Sequence, residues 1–301
     1  MTMLVRGLAA SCLLAALCPQ IAAAQSLGAT LQKIKSSGAI TVGNRDSSIP
    51  FSYLDNSQKP IGFSLDLCGL VVARIKGTLA LPDLKVAYQG VNSSNRIPLV
   101  KNGTVDIECG STANTIPRQN EVAFSVTTYA PQFKWIALKA SDLKTTADLK
   151  GKSVVVTQGT NTSQFVAKLN AEKELGMKIL QGKDHAESFL LVQTGRASAF
   201  MEDDILLAGL KATAAAPDDF AFLADAFPSD PYGLVVSKDD PGFKKLVDDA
   251  LTEAMKSGEY DKLYSKWFEA PIPPKNVNLQ FPQSDKLKAL IKSPSDKANG
   301  Q

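Results

Sequence analysis

One histidine, four cysteines and two tryptophans in 301 residues leave little material for several kinds of chemistry. A lone histidine, His185, excludes any catalytic or metal centre that needs two. No cysteine–histidine cluster has zinc spacing, so no metal is expected. The chain has no GxxxxGKS phosphate loop, no GxGxxG, no HExxH and no GxSxG, and nothing in it implies a cofactor. Charge of one sign is also scarce. A formal net charge of +3 is too small to argue for nucleic acid or an anionic membrane. No apolar run reaches the roughly 20 residues of a spanning helix. What remains is an ordinary globular composition, 44% apolar and 21% charged. The length fits one large domain or two smaller ones.

The N-terminus reads as an export signal. Arg6 supplies a positive start, Leu8 to Ile21 is apolar with a break at Pro19, and Ala22-Ala23-Ala24 is a small-residue cleavage site. Cleavage after Ala24 leaves a mature chain from Gln25. A lipid-anchored alternative rests on Cys18, where the preceding Leu17 fits poorly, or on Cys12, whose flank Leu8-Ala9-Ala10-Ser11 fits better but which lies early for an apolar signal core. Cys12 and Cys18 leave with the signal, so Cys68 and Cys109 remain in an oxidising compartment. A Cys68–Cys109 disulfide is the favoured reading, with two buried free thiols as the alternative.

Along the mature chain, elements alternate. Leu27, Leu31 and Ile34 share a helical face that Gly38 ends. Ala39 to Gly43 reads as a buried strand ending at Arg45, and a turn-rich stretch runs to Pro60. Ser64 or Asp66 can cap a helix to about Lys76. Strands follow at Leu84–Tyr88 and Val105–Glu108, around a helix capped by Asn92-Ser93-Ser94. A second α/β unit starts near Lys134, with strands at Phe133–Leu138, Ser153–Val156, Met177–Leu180 and Ala197–Met201. The chain returns to a strand at Leu234–Ser237. An amphipathic helix then starts after Asp239-Asp240-Pro241. The tail beyond Pro274 is polar and is expected to wrap the surface. The expected class is α/β, with two lobes, an open mixed sheet in each and two hinge strands. The divisions are 1–24 signal, 25–131 first lobe, 132–230 second lobe, and 231–301 return and tail.

Ligands in such sheets bind beyond the carboxyl ends of strands. The polar residues there are Arg45; Ser93 and Arg96; Ser111, Thr112 and Arg118; Thr160 and Asn161 at a strand-to-helix turn; and His185 and Asp203 at helix starts. The Thr157–Asn161 turn offers free N–H groups and a positive dipole end to an anion. Each residue also has an ordinary explanation, as a surface charge or a helix cap. Only their convergence would make a site.

The segments Val42-Gly43-Asn44-Arg45-Asp46-Ser47-Ser48-Ile49-Pro50-Phe51, Asp106-Ile107-Glu108-Cys109-Gly110-Ser111-Thr112, Lys183-Asp184-His185, Ala199-Phe200-Met201-Glu202-Asp203-Asp204 and Trp267-Phe268-Glu269-Ala270-Pro271-Ile272-Pro273-Pro274 carry a resemblance. The mature chain resembles the periplasmic glutamate/aspartate-binding proteins of the polar amino-acid substrate-binding family (solute-binding protein family 3) of ABC transporters. The resemblance implies a type II periplasmic-binding-protein fold with L-glutamate or L-aspartate in the cleft. It also implies delivery to a transporter permease, by a monomeric, non-enzymatic protein of the periplasm. Arg118 with Thr112 is similar to the pair that holds the α-carboxylate, and Asp203 with Ser111 to the group that takes the ammonium. Arg45, Ser93, Arg96 and His185 match positions that recognise the side-chain carboxylate, and Thr160 matches the helix-start turn. Asn161 departs from the pattern, where a hydroxyl residue is expected. Three arginines would meet two carboxylates, and one aspartate the ammonium. Alternatives on the same fold are a dehydratase-like cleft enzyme using Glu202, a ligand-presenting sensor component, and a binder of glutamine or asparagine.

Overall fold

The computed structural model describes residues 27–301. The signal peptide, its cleavage site and the lipid-anchor alternative lie outside the described residues.

Helix α1 (Ala29–Ser37) buries Leu31 and Ile34 and stops at Gly38, which takes the left-handed φ of 66°. Strand β1 (Ala39–Asn44) follows and buries Ile40 and Val42 on one face. The turn-rich stretch after it holds a small antiparallel sheet of β2 (Ser47–Ser48), β3 (Ser52–Leu54) and β4 (Pro60–Ile61). Helix α2 (Phe63–Leu79) starts after Gly62, not at Ser64 or Asp66. Those two side chains are engaged elsewhere. The Ser64 hydroxyl donates to Gly110 O at 2.8 Å, and Asp66 accepts from Trp267 Nε1 at 2.7 Å. Next come β5 (Lys85–Gly90), α3 (Arg96–Lys101), β6 (Ile107–Glu108), α4 (Ile116–Gln119) and β7 (Ala123–Phe124).

The second unit contains β8 (Gln132–Leu138), β9 (Ser153–Thr157), α5 (Asn161–Glu172), β10 (Lys178–Gly182), α6 (His185–Gln193), β11 (Ala199–Asp203), α7 (Asp204–Thr213) and β12 (Phe220–Pro228). The chain then adds β13 (Val235–Val236), α8 (Pro241–Ser257), α9 (Glu259–Tyr264) and, after a short antiparallel pair, α10 (Asp285–Lys292). The first sheet has the order β5-β1-β6-β13-β7, and the second β10-β9-β11-β8-β12. In each, the first three strands run parallel and the rest antiparallel. Val154, Val155 and Val156 of β9 are fully buried, as expected of a strand covered by helices on both faces. β13 thus brings the chain back into the first sheet.

The chain crosses between the sheets at 125–131 and again at 229–234. The two crossings run side by side: Thr128 N–H donates to Tyr232 O, and Tyr232 N–H to Tyr129 O, both at 2.8 Å. An aromatic cluster of Phe51, Phe63, Tyr129, Tyr232 and Phe268 packs beneath them. Cys68 of α2 and Cys109 after β6 form the disulfide, with Cα atoms 6.3 Å apart.

Two elements differ from expectation. The nine-residue strand β12 was not expected. A register shift between Phe222 and Ala226 breaks its alternation around Asp225, so no period of two is visible. The tail is not only a surface wrap, since it forms α10 and buries Leu287 in the first core.

Candidate functional site: a buried arginine cluster between two lobes

The strand ends converge. Arg45 leaves the end of β1 and is 1% exposed. Its backbone is fixed by Ser52, whose hydroxyl accepts the Arg45 N–H at 2.9 Å. Both Nη atoms of Arg45 are buried without a hydrogen-bond partner in the chain. Arg96, the first residue of α3, is buried too. Its Nη1 reaches Ser111 O only at 3.4 Å, and its Nε has no partner. The asparagine turn before α3 sets that side chain, because Asn92 Oδ1 accepts the N–H groups of Ser94 and Asn95. The hydroxyls of Ser93 and Ser111 are likewise buried and unpartnered. Buried polar groups are normally satisfied, so such a concentration marks a place where another molecule completes the bonding.

Arg118 spans the two lobes. Thr115 caps its short helix, Nη1 donates to Ala113 O at 2.9 Å, and Nη2 donates to Gly159 O at 3.0 Å. Gly159 itself has φ +77°, and a Cβ built there would lie 2.8 Å from Ser93 O. A Gly159→Ala substitution is therefore expected to hold the lobes apart and weaken any ligand buried between them by about tenfold or more, from strain and lost contact. Ligand titration checks this, and unchanged affinity would show that the close approach is not needed.

The second lobe supplies acidic and neutral groups. Thr160 caps α5, accepting Ser163 N–H at 3.2 Å, while its hydroxyl donates to Thr157 O at 2.7 Å. His185 is buried with Nδ1 3.0 Å from Thr157 Oγ1 and 3.4 Å from Glu202 Oε2. Asp203 ends β11 and accepts from Ser229 Oγ at 2.6 Å and from the Tyr232 hydroxyl. Its pairing with Ser111 is not a direct contact, and Ser111 Oγ has no partner. Thr112 donates its hydroxyl to Glu108 Oε2 at 2.7 Å. Asn161 donates to Asp230 Oδ2 of the second crossing at 3.1 Å.

Sequence reasoning missed Glu108, Ser229, Asp230 and Tyr232 in this cluster. The charge balance drawn from the sequence, three arginines against one aspartate, is corrected by Glu108 and Glu202, both buried beside the arginines. A glutamate at the end of a short apolar strand was the available signal for Glu108. Glu202 had been considered only as a catalytic acid.

Electrostatics follow from burial. Desolvation first, and then Arg96, lower the Arg45 pKa to about 10, against the pull of Glu108, Glu202 and Asp184. The same causes lower Arg118 to about 9. Burial also lowers Arg96, opposed by Glu108. His185 is pushed well below the usual histidine range by burial and then by Arg45 and Arg96, so it is neutral at pH 7. Burial raises Glu202 and raises Asp203 strongly, the latter also through Glu202. The cluster is chemically suited to holding an anion that also carries a cation. No group of metal-ligating side chains occurs among the described residues.

Residues 40–270 match the model of the bacterial extracellular solute-binding proteins, family 3. The chain is 50% identical to the L-glutamate/L-aspartate-binding protein of Pseudomonas aeruginosa, over 98% of each chain. It is 48% identical to the glutamate/aspartate import solute-binding protein of Salmonella typhimurium, over 91% of each. Among solved structures, a mutant arginine-binding protein, ArgBP from T. maritima, superposes with a TM-score of 0.70 at 28% identity, over 80% of this chain and 99% of that one. The fold is the type II periplasmic-binding-protein arrangement. A match over most of the chain, with half-identical relatives along nearly their whole length, makes this chain a member of the bacterial extracellular solute-binding proteins, family 3.

Proposed function

We propose that the protein captures L-glutamate or L-aspartate in the periplasm and delivers it, as a monomer, to the permease of an ABC transporter. The reading is carried by one observation: guanidinium nitrogens of Arg45 and Arg96 are buried between the lobes without partners, beside the free hydroxyls of Ser93 and Ser111. A ligand carboxylate would answer the arginine nitrogens and the Ser93 hydroxyl. The printed names of the half-identical relatives agree with that choice of ligand.

In this reading Arg118 and the backbone N–H of Thr112, whose hydroxyl is taken by Glu108, hold the α-carboxylate, and Asp203, with Ser111, takes the ammonium. Arg45, Ser93, Arg96 and His185 receive the side-chain carboxylate. The Thr160 turn adds N–H groups, and Asn161 serves as a latch to Asp230 rather than as a ligand contact. If Thr157 donates to Nδ1, which lies 3.0 Å from its hydroxyl, the neutral His185 keeps its proton on Nε2 for the ligand. Asp203 accepts two hydroxyls, and burial side by side favours a shared proton within the Glu202–Asp203 pair. Arg45, Arg96 and Arg118 then supply the cationic groups that two ligand carboxylates would meet.

Closure around the ligand shifts the population toward the joined lobes, which present a surface to the transporter. Calorimetry with an amino-acid panel tests the reading. Glutamate or aspartate is expected to release heat, and glutamine to bind on the order of 10²-fold weaker, since it leaves guanidinium charge unanswered. No binding of either acidic amino acid would overturn it. Export is expected to yield a mature chain starting at Gln25, read by intact mass.

A further inference from the structure

Residues 293–301 lie beyond the family match, which ends at 270, and they touch both parts of the binding machinery. On the first lobe, Asp296 O accepts from Asn114 Nδ2 at 2.7 Å and from Gln119 Nε2 at 3.1 Å. Ser295 O accepts from Thr127 N–H at 2.8 Å, and Gln301 Nε2 donates to Gln119 Oε1 at 2.8 Å. Asp296 also pairs with Lys244 at 2.8 Å, and Ala298 is buried. Asn114 and Gln119 flank Arg118 on its loop. On the second crossing, Asn299 Nδ2 donates to Ser229 O at 2.9 Å and to Asp230 Oδ1 at 3.2 Å.

Ser229 and Asp230 are the residues that reach the site. Ser229 Oγ donates to Asp203, and Asp230 uses its other oxygen, Oδ2, to accept from Asn161 at the start of α5. Asp230 also lies near enough to Arg118 to favour its charge. A single amide on the final segment therefore fixes both the backbone and the side chain of a two-residue stretch. That stretch orients the ammonium-binding carboxylate and the latch between the second crossing and α5.

We propose that 293–301 is a strap whose Asn299 is a positioning residue for ligand binding: it holds Ser229 so that Asp203 meets the ligand already oriented, and Asp230 so that the Asn161 latch is already set. The inference rests on the acidic amino-acid reading above. Bidentate seating of Asp230 between two asparagines makes the two contacts interdependent, since freeing Oδ1 lets the carboxylate rotate away from Asn161.

The test uses the full mature chain with Asn299→Ala, Asn299→Asp, Asn161→Ala and the double variant Asn161→Ala/Asn299→Ala. L-Glutamate calorimetry is combined with backbone amide exchange in the ligand-free protein. Asn299→Ala is expected to weaken glutamate binding about tenfold, the effect of losing hydrogen bonds to a charged group. Asn299→Asp is expected to weaken it further, because it sets a carboxylate against Asp230. The double variant is expected to lose no more than about twofold beyond the weaker-binding single variant. The amides of 229–232 should exchange faster in Asn299→Ala. A purely structural strap would instead lower the melting temperature, leave affinity unchanged, and give effects that multiply with Asn161→Ala; that result overturns the proposal. If the unmodified protein binds no acidic amino acid, the functional reading fails. The strap is then judged by exchange alone, and unchanged exchange at 229–232 in Asn299→Ala sinks it.

Discussion

Replacing Arg45 by methionine is expected to stabilise the ligand-free protein while removing most of its affinity for glutamate. The two effects have one cause. The guanidinium is buried, its Nη atoms have no partner, and Arg96 repels it. A pKa held near 10 means that the fold disfavours the charge by about 3 kcal/mol. The depressed value is still far above neutrality, so this penalty is flat across physiological pH. That penalty is already net of the attraction to Glu108 and Glu202, and leaving those carboxylates without Arg45 takes back part of the gain. A net gain of about 1 kcal/mol would raise the melting temperature by about 2–4 °C. Binding moves the other way. A ligand carboxylate left buried without its cation costs about 3–5 kcal/mol, an affinity loss on the order of 10²–10³-fold. Differential scanning fluorimetry and calorimetry on one variant read both signs. A lower melting temperature with intact affinity would show that Arg45 is a structural cation.

The second large effect concerns stability alone. Opening the Cys68–Cys109 bridge, by a Cys68→Ala/Cys109→Ala variant, is expected to destabilise the fold by about 3–4 kcal/mol. The two cysteines are 41 residues apart, and a cross-link of that span removes roughly this much freedom from the unfolded chain. The melting temperature should fall by about 6–16 °C. Some loss of affinity should accompany it. Cys109 leads directly into Gly110-Ser111-Thr112, and the bridge ties that loop to α2. Thermal unfolding of the variant beside the oxidised protein checks the first point. A shift below about 2 °C would place the stabilisation elsewhere.

How far the sequence could be read depended on range. Local signals were sound: Gly38 stops α1, Asp184 caps α6 and Asp240 caps α8, because each acts within one helical turn. Arg45, Arg96 and His185 were placed at the ends of elements, and the structure brings them into one buried cluster. The parts that were not legible depend on distant partners. Ser64 and Asp66 look like caps, yet they bond to Gly110 and Trp267, whose positions no local pattern reveals. Thr112 looks like a free ligand donor until Glu108 folds beneath it. Ser229, Asp230 and Tyr232 sit in a stretch that reads only as a strand joining the lobes, and the fold of the second crossing brings them to Asp203 and Asn161. β12 was hidden by an irregularity in its own period.

The paired crossings carry a mechanical consequence. Thr128 and Tyr232 tie the two connecting strands to each other, so they do not act as independent tethers. Two separate tethers would let the lobes twist, slide and splay. A laced pair behaves like the spine of a book and leaves essentially one soft degree of freedom, opening and shutting about a shared axis. Travel along any other coordinate would have to tear the lacing first. Under the proposed closure, the molecule is expected to present the same two faces to its surroundings in the same relative pose each time it shuts.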